Sequence, residues 1–214
     1  EQCSNMDYFN KKSKIYKFKI LVGVQTDTFD ILGLITHCDH LDANIEEFNT
    51  YISEKIQDTF QYFLNQEYQT VPPHSSFVVD TIDPITKKRQ PLWWWALHNR
   101  LDEIVLPTVN KKLFDIKITD QENVDMDTLI PEIINRINLV NEKYNFRQQE
   151  IISCWQDFLK KYHISKSEND KGMCIITCEA HVSSGFYIRQ LVNDIGKKIN
   201  IPMTTFEIER LGFF

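Results

Sequence analysis

The stretch Lys14–Gly33, KIYKFKILVGVQTDTFDILG, constrains the fold more than any other part of the chain. Tyr16, Phe18, Ile20 and Val22 fall on one face and Lys17, Lys19 and Leu21 on the other, the two-residue period of a strand. Gly23 ends the run, and a polar knot follows: Gln25-Thr26-Asp27-Thr28, then Asp30 and Gly33. Short hydroxyl and carboxylate side chains between two glycines favour a tight, internally hydrogen-bonded turn. Two readings stay open at this point. The unit is an ordinary edge strand closed by an Asx-type turn, or it delivers an aromatic ring and a carboxylate-rich loop to one site.

The rest of the chain supplies partners for such a strand. Residues 1–13 are polar, with Met6, Tyr8 and Phe9 able to anchor a short helix, and Leu34–Cys38 reads as a return strand. Residues 44–64 predict a helix: Ile45, Phe48, Ile52, Ile56, Phe60 and Phe63 recur every three or four positions, with Asn44 or Asp42 as cap. The helix stops before Val71-Pro72-Pro73, where the prolines impose an extended backbone. After Val71–Val79 come a turn at Asp83-Pro84, the basic Lys87-Lys88-Arg89, and Gln90-Pro91-Leu92-Trp93-Trp94-Trp95-Ala96. Neighbouring helical side chains point about 100° apart, so three adjacent tryptophans cannot share one core and at least one faces outward.

Lys111–Thr119 alternates as a strand. Two helices are predicted next, over 126–143 (Met126, Leu129, Ile130, Ile133, Ile137, Val140) and 147–162 (Ile151, Trp155, Phe158, Leu159), with Ser165–Gly172 as a polar linker. Gly172–His181 is a strand again. It sets Met173, Ile175 and Thr177 against Cys174, Ile176 and Cys178, and the two thiols, about 14 Å apart along it, are too distant to bond. A glycine turn then opens a helix over Phe186–Gly196.

Size allows one substantial domain, and a hydrophobic fraction of 42% with 25% charged residues is ordinary for a soluble globular chain. No apolar run approaches the roughly 18 residues that span a bilayer, so no membrane partner is expected. Five cysteines without framework spacing fit a reducing, intracellular setting. His37, Cys38 and His40 lie close together, but the spacing is not that of a structural zinc site, and no metal is expected. The net charge of −6 argues mildly against RNA, although basic groups do gather at Lys11–Lys19, Lys87–Arg89, Lys111–Lys117 and Lys197–Lys198.

Several stretches carry a resemblance, in one order. Lys14-x-Tyr16, then Gly23, then Gln25-x-Thr-Asp-Thr-x-Asp30-x-x-Gly33, resembles the TruB family of pseudouridine synthases, which modify the T-loop uridine of tRNA. Pro72-Pro73 through Ser76, followed by Leu92–Ala96, is similar to the family's Pro-Pro-x-x-Ser-Ala strand and Leu-Tyr-x-Tyr-Ala helix, with Arg89 where the family has glycine. Ser183-x-Gly185-x-Tyr187-Ile188-Arg189-x-Leu191-x-x-Asp194-x-Gly196 is among the family's most specific signatures and is intact. The tail keeps Arg210, Gly212 and Phe214, while Phe206-Glu207-Ile208-Glu209 replaces a basic core.

The resemblance implies an α+β, pseudouridine-synthase-like fold, a mixed or antiparallel sheet flanked by helices. Residues 1–119 and 171–214 would form the catalytic-domain core, and 120–170 a helical insertion packed on itself at the periphery, with Trp155 and Phe158 between its helices. It also implies cofactor-free isomerisation of a flipped-out uridine in RNA, with tRNA as partner. Catalytic roles fall on Tyr16, which stacks on the uracil and handles a proton; on Asp30, in the network beside the base; and on Arg189, the cation that keeps a nucleophilic carboxylate ionised. Lys14, Thr28 and Tyr187 would bind substrate.

The family's nucleophile lies in a Gly-x-Leu-Asp-Pro motif that would stand upstream of Lys14. Nothing like it occurs in the chain, so residues are expected to precede Glu1 and Arg189 is expected to lack its carboxylate. The alternative is a catalytically inactive synthase-like subunit for RNA binding or ribonucleoprotein assembly. In it, a protein partner would sit at the helical insertion or at Trp93–Trp95.

Overall fold

A computed structural model describes residues 12–39, 45–141, 143, 146–165 and 172–213. Residues 1–11, His40, the cap candidates Asp42 and Asn44, most of the 165–172 linker and Phe214 lie outside them.

The centre is a four-stranded antiparallel sheet in the order β10–β1–β9–β8, built from β1 (Lys14–Val22), β8 (Leu113–Val124), β9 (Met173–Val182) and β10 (Met203–Phe213). Strand β1 is interior, pairing with β10 on one side and β9 on the other. Its alternation is as the sequence reads. Phe18, Ile20 and Val22 enter one core with Cys174, Ile176 and Cys178 of β9, while Leu21 and Ile175 enter a second core on the opposite face.

Two helices cover the first face. Helix α1 (Ile45–Leu64) inserts Ile52, Ile56 and Phe60, and α5 (Ile188–Ile199) inserts Ile188, Leu191, Val192 and Ile195. Helix α5 does not stop at Gly196, as the sequence suggested. It runs one more turn to Asn200, whose left-handed backbone (φ 58°) caps it. Gly196 is there for closeness: a β-carbon would stand 2.7 Å from the Ile201 carbonyl oxygen and 3.2 Å from Met203 Cβ.

The second face is where the sequence expectation fails. Helices α3 (Met126–Asn138) and α4 (Gln148–Ser165) do pack on each other, and the rings of Trp155 and Phe158 meet edge-on at 6.0 Å. They are not peripheral. Ile130, Ile133, Ile151 and Trp155 share one buried cluster with Leu21, Ile175 and Phe206 of the sheet. The apolar stripes of 126–165 and the second face of β1 and β9 are each too apolar to stay wet, and each satisfies the other. Strand β8 also runs through Val124, beyond the expected boundary at 120.

Smaller pieces complete the chain: β2 (Val24–Thr26) with β3 (Ile35–Cys38), β4 (Tyr68–Thr70) with β7 (Thr108–Asn110), and β5 (Val78–Ile82) with β6 (Arg89–Pro91). The short helix α2 (Leu92–Leu97) buries Leu92 and Trp95 against Val71 and Val79. Trp93 is 43% exposed, and Trp94 stacks on His98 at 4.1 Å, so the three indoles do diverge. No helix among the described residues is long and apolar enough to cross a membrane.

Candidate active site

The polar knot after β1 forms a closed loop. Asp27 ties its ends: its backbone N–H donates to the Leu34 carbonyl (3.0 Å) and its Oδ1 accepts from the Leu34 N–H (2.9 Å). Inside, Asp30 Oδ1 accepts from the Thr28 hydroxyl (2.7 Å) and the Leu32 N–H (3.0 Å), and the Thr26 hydroxyl donates to the Asp30 carbonyl (2.6 Å). A β-carbon at Gly33 would collide with the Thr28 hydroxyl and the Asp27 carboxylate, so a larger residue there would push both off the hydrogen bonds they make in the turn. The loop hangs on the free edge of β10, where Thr205 N–H donates to the Phe29 carbonyl and Ile31 N–H to the Thr205 carbonyl. Phe29 takes a left-handed conformation (φ 64°), at a cost of about 1 kcal/mol for a side-chain-bearing residue.

Arg189, in the first turn of α5, reaches this loop. Its Nη1 donates to Asp30 Oδ2 at 2.8 Å and to the Thr28 carbonyl at 3.1 Å, and its Nη2 donates to the His74 carbonyl at 3.2 Å. The carboxylate that Arg189 meets in this chain is Asp30, a residue of the polar knot and not the motif nucleophile that the sequence leads one to expect it to lack. Both side chains are about four-fifths buried, and a guanidinium so enclosed needs a charged acceptor. Its Nε and the second N–H of Nη2 have no partner among the described residues.

Tyr187, the residue before α5, is held through its backbone. Gln69 accepts from the Tyr187 N–H (2.8 Å) and donates to its carbonyl (2.9 Å). Burial raises the Tyr187 phenol above its ordinary value, with Arg189 acting the other way. At the far end of the 183–189 turn, Lys14 Nζ donates to the Ser184 hydroxyl at 2.9 Å and Lys111 Nζ to the Ser184 carbonyl at 2.6 Å. Burial, then Arg210 and Lys111, lower the Lys14 ammonium.

Tyr16 is half-buried on β1 against the first core, with the Arg210 guanidinium 5.6 Å from its ring. The candidates therefore form two groups. Thr28, Asp30 and Arg189 share one hydrogen-bonded cluster. Lys14 and Tyr16 sit at the start of β1, and residues 183–189 join the groups by touching Lys14 at one end and Asp30 at the other.

Three members escaped the sequence reading. His74 lies beside the cluster, its Nε2 3.9 Å from Asp27 Oδ2; burial lowers its pKa, so the imidazole is neutral near pH 7. Arg147, just before α4, donates from Nη1 to Asp27 Oδ2 at 2.8 Å. Gln69 is the third. His74 occupies an unspecified position of a motif, and Arg147 falls in 120–170, so neither carried a signal in sequence.

Several known proteins are similar to this chain. One, named tRNA pseudouridine synthase B, from Oenococcus oeni, is 23% identical over 206 residues, which is 96% of this chain and 49% of that protein. Another of that name, from Thermosipho melanesiensis, is 27% identical over 207 residues, 97% of this chain and 46% of its own. The chain is related to the TruB synthases. A third, from Ligilactobacillus salivarius, is 22% identical over 96% of the chain. The chain spans about half the length of the curated relatives it matches, and no family model matches it.

One departure of this TruB-like chain from the family's tail has a structural cause. Glu207, where a basic residue is usual, pairs with Arg136 of α3 at 2.9 Å, and the same guanidinium lies 4.5 Å from the Phe206 ring. The acidic strand serves the helices packed on the second face. A cavity of about 430 Å³ opens beside α5, lined by Tyr62, Tyr68, Lys111, Lys197, Lys198 and Asp194. It contains none of Tyr16, Asp30 or Arg189, and it gathers three cations on a chain of net charge −6.

Proposed function

We propose that this chain is the uridine-holding part of an RNA pseudouridine synthase, acting without a cofactor on the T-loop uridine of tRNA. The observation that carries the reading is the Arg189–Asp30 pair, which ties together the two segments where the TruB resemblance is most specific. The relationship to proteins named tRNA pseudouridine synthase B supports it. So does the cluster of lysines around a cavity with exposed tyrosine rings, which suits phosphates and stacked bases.

The chemistry needs a carboxylate to attack the ribosyl–uracil unit and the N1–C1′ bond to break. The uracil then turns, C5 bonds to C1′ as the carboxylate leaves that carbon, and the proton passes from C5 to N1, so the product is an isomer of the substrate. The ring of Tyr16 stacks on the detached uracil, and its hydroxyl relays the proton from C5 to N1. Arg189 offers its two unused N–H groups to the attacking carboxylate and keeps it ionised. Asp30 and Thr28 orient Arg189 and the base, while Lys14 and Tyr187 contact the RNA. The attacking carboxylate is neither Asp27 nor Asp30, because both are already engaged with arginines and backbone N–H groups. The reading takes it from a Gly-x-Leu-Asp-Pro-like segment, a motif that residues 1–214 do not contain, and treats 120–170 as an insertion into the family's core. A tRNA substrate puts the activity inside the cell.

The test is the whole encoded protein incubated with a tRNA transcript, pseudouridine being read by mass spectrometry. The T-loop uridine is expected to convert, and Arg189→Ala to lower the rate about 10²–10³-fold, as for a lost transition-state cation. Tight RNA binding with no conversion would overturn this reading in favour of an inactive scaffold subunit, and the exposed Trp93 would then be its protein contact.

A further inference from the structure

The two ends of loop 26–34 close on Asp27, and the free oxygen of that carboxylate is gripped from outside the loop. Arg147 Nη1 stands 2.8 Å from Asp27 Oδ2, both side chains about three-quarters buried. Arg147 also begins α4, its carbonyl accepting the first helical N–H, from Ile151, at 3.0 Å. It does so with φ at 60°, a left-handed conformation unfavourable for a residue with a β-carbon. The contact therefore joins the α3–α4 layer to the loop that carries Asp30.

We propose that Arg147 is a positioning residue, which locks Asp27 and so holds the loop in the conformation that presents Asp30 to Arg189. The helical layer becomes part of the construction of the site as well as a cover for the sheet. This coupling stands whatever reaction the chain performs; its bearing on catalysis rests on the function proposed above.

His74 makes the role distinguishable from simple packing. The charged groups around its imidazole are Asp27, Asp30, Arg147 and Arg189. With Arg147 present, Asp27 Oδ2 is occupied and His74 stays neutral. With Arg147 removed, one repelling cation is gone and Asp27 Oδ2 is open, 3.9 Å from His74 Nε2. A protonated His74 then takes over the pairing, so the loop regains order as the pH is lowered.

Amide hydrogen exchange on the full chain tests this. Arg147→Ala is expected to lower the protection of the Leu34 amide about tenfold at pH 7.5 and to recover most of it at pH 5.5, while the amides of α4 stay protected. Arg147→Lys, which keeps charge but loses the fork, should give an intermediate value. Unchanged Leu34 protection in Arg147→Ala at pH 7.5 would overturn the proposal, as would a loss of protection with no recovery in acid. Should Arg147→Ala unfold the helical layer, Asp27→Asn asks the same question from the loop. It keeps the acceptor for Leu34 and removes the charge, so lowered protection supports the lock and unchanged protection refutes it. Failure of the wild type to isomerise uridine would remove the function and leave this result intact.

Discussion

Replacing Trp155 by alanine tests whether the α3–α4 layer is integral to the sheet. The indole is fully buried, meets Phe158 edge-on, and donates from Nε1 to the Ile31 carbonyl at 3.2 Å. Truncating a buried tryptophan typically costs about 3–5 kcal/mol. Loss of the donor leaves the Ile31 carbonyl unsatisfied, for about 1–3 kcal/mol more, and the two do not add in full because the cavity lets neighbours relax. A loss of about 4–5 kcal/mol is expected, a large share of the about 5–15 kcal/mol that holds a typical domain. In urea melts followed by far-UV circular dichroism, with a slope of about 2–3 kcal/mol per molar, the midpoint should fall by about 1.3–2.5 M. Trp155→Phe, which keeps most of the ring, should lose about a third of that. A shift under about 0.3 M for Trp155→Ala, or a first transition that leaves the sheet's signal unchanged, would refute the reasoning and make the helices a separable layer. Removal of 126–165 is expected to give an insoluble protein, because Leu21, Ile175 and Phe206 would face water.

Other outcomes follow from the same contacts. In the complete protein, Tyr16→Ala should nearly abolish isomerisation, while Tyr16→Phe should keep RNA binding and lose turnover; single-turnover assays and filter binding separate the two. Burial raises the Cys174 thiol to about 11 and Cys178 to about 12, so neither should react with a thiol reagent near pH 8, whereas the exposed Cys38 should label readily. Burial works to raise the Asp83 carboxyl, but hydrogen bonds from Thr86 and from Arg100 prevail and hold it well below its ordinary 3.8. A depressed folded value means stability that is complete above the unfolded value and lost as pH falls through the folded one. Asp83→Asn should therefore flatten the acid limb of the stability curve below about pH 4, read by thermal melts, and unchanged acid sensitivity would refute it.

Local pattern carried much of this molecule. The alternation of Lys14–Val22 and of Gly172–His181 put Phe18, Ile20, Val22 and Ile176 on one face of their strands and Leu21 and Ile175 on the other, because a strand's period of two is a property of the backbone. The stripes of 45–64 and 126–143 marked helices for the same reason, although the second stops at Asn138, and the Asp27–Gly33 spacing announced a closed turn held by internal hydrogen bonds, with Thr205, Arg147 and Arg189 adding bonds from outside. The intact Ser183–Gly196 motif gave the TruB resemblance, and the comparisons bear that relationship out.

What covers a face is a different kind of information. Periodicity says that Leu21 and Ile175 need a partner and that Ile133 and Trp155 need one. It cannot say that they find each other, because many pairings satisfy the same apolar area. The partner of Arg189 was equally hidden: any carboxylate at the right place satisfies a guanidinium, and only the closure of the loop onto β10 puts Asp30 there. Arg147 and Glu207 became legible only once α3 and α4 were seated on the sheet, since ion pairs depend on distance in space and sequence records distance along the chain. Sequence determined the elements and which side of each is apolar; tertiary structure decided which charges meet.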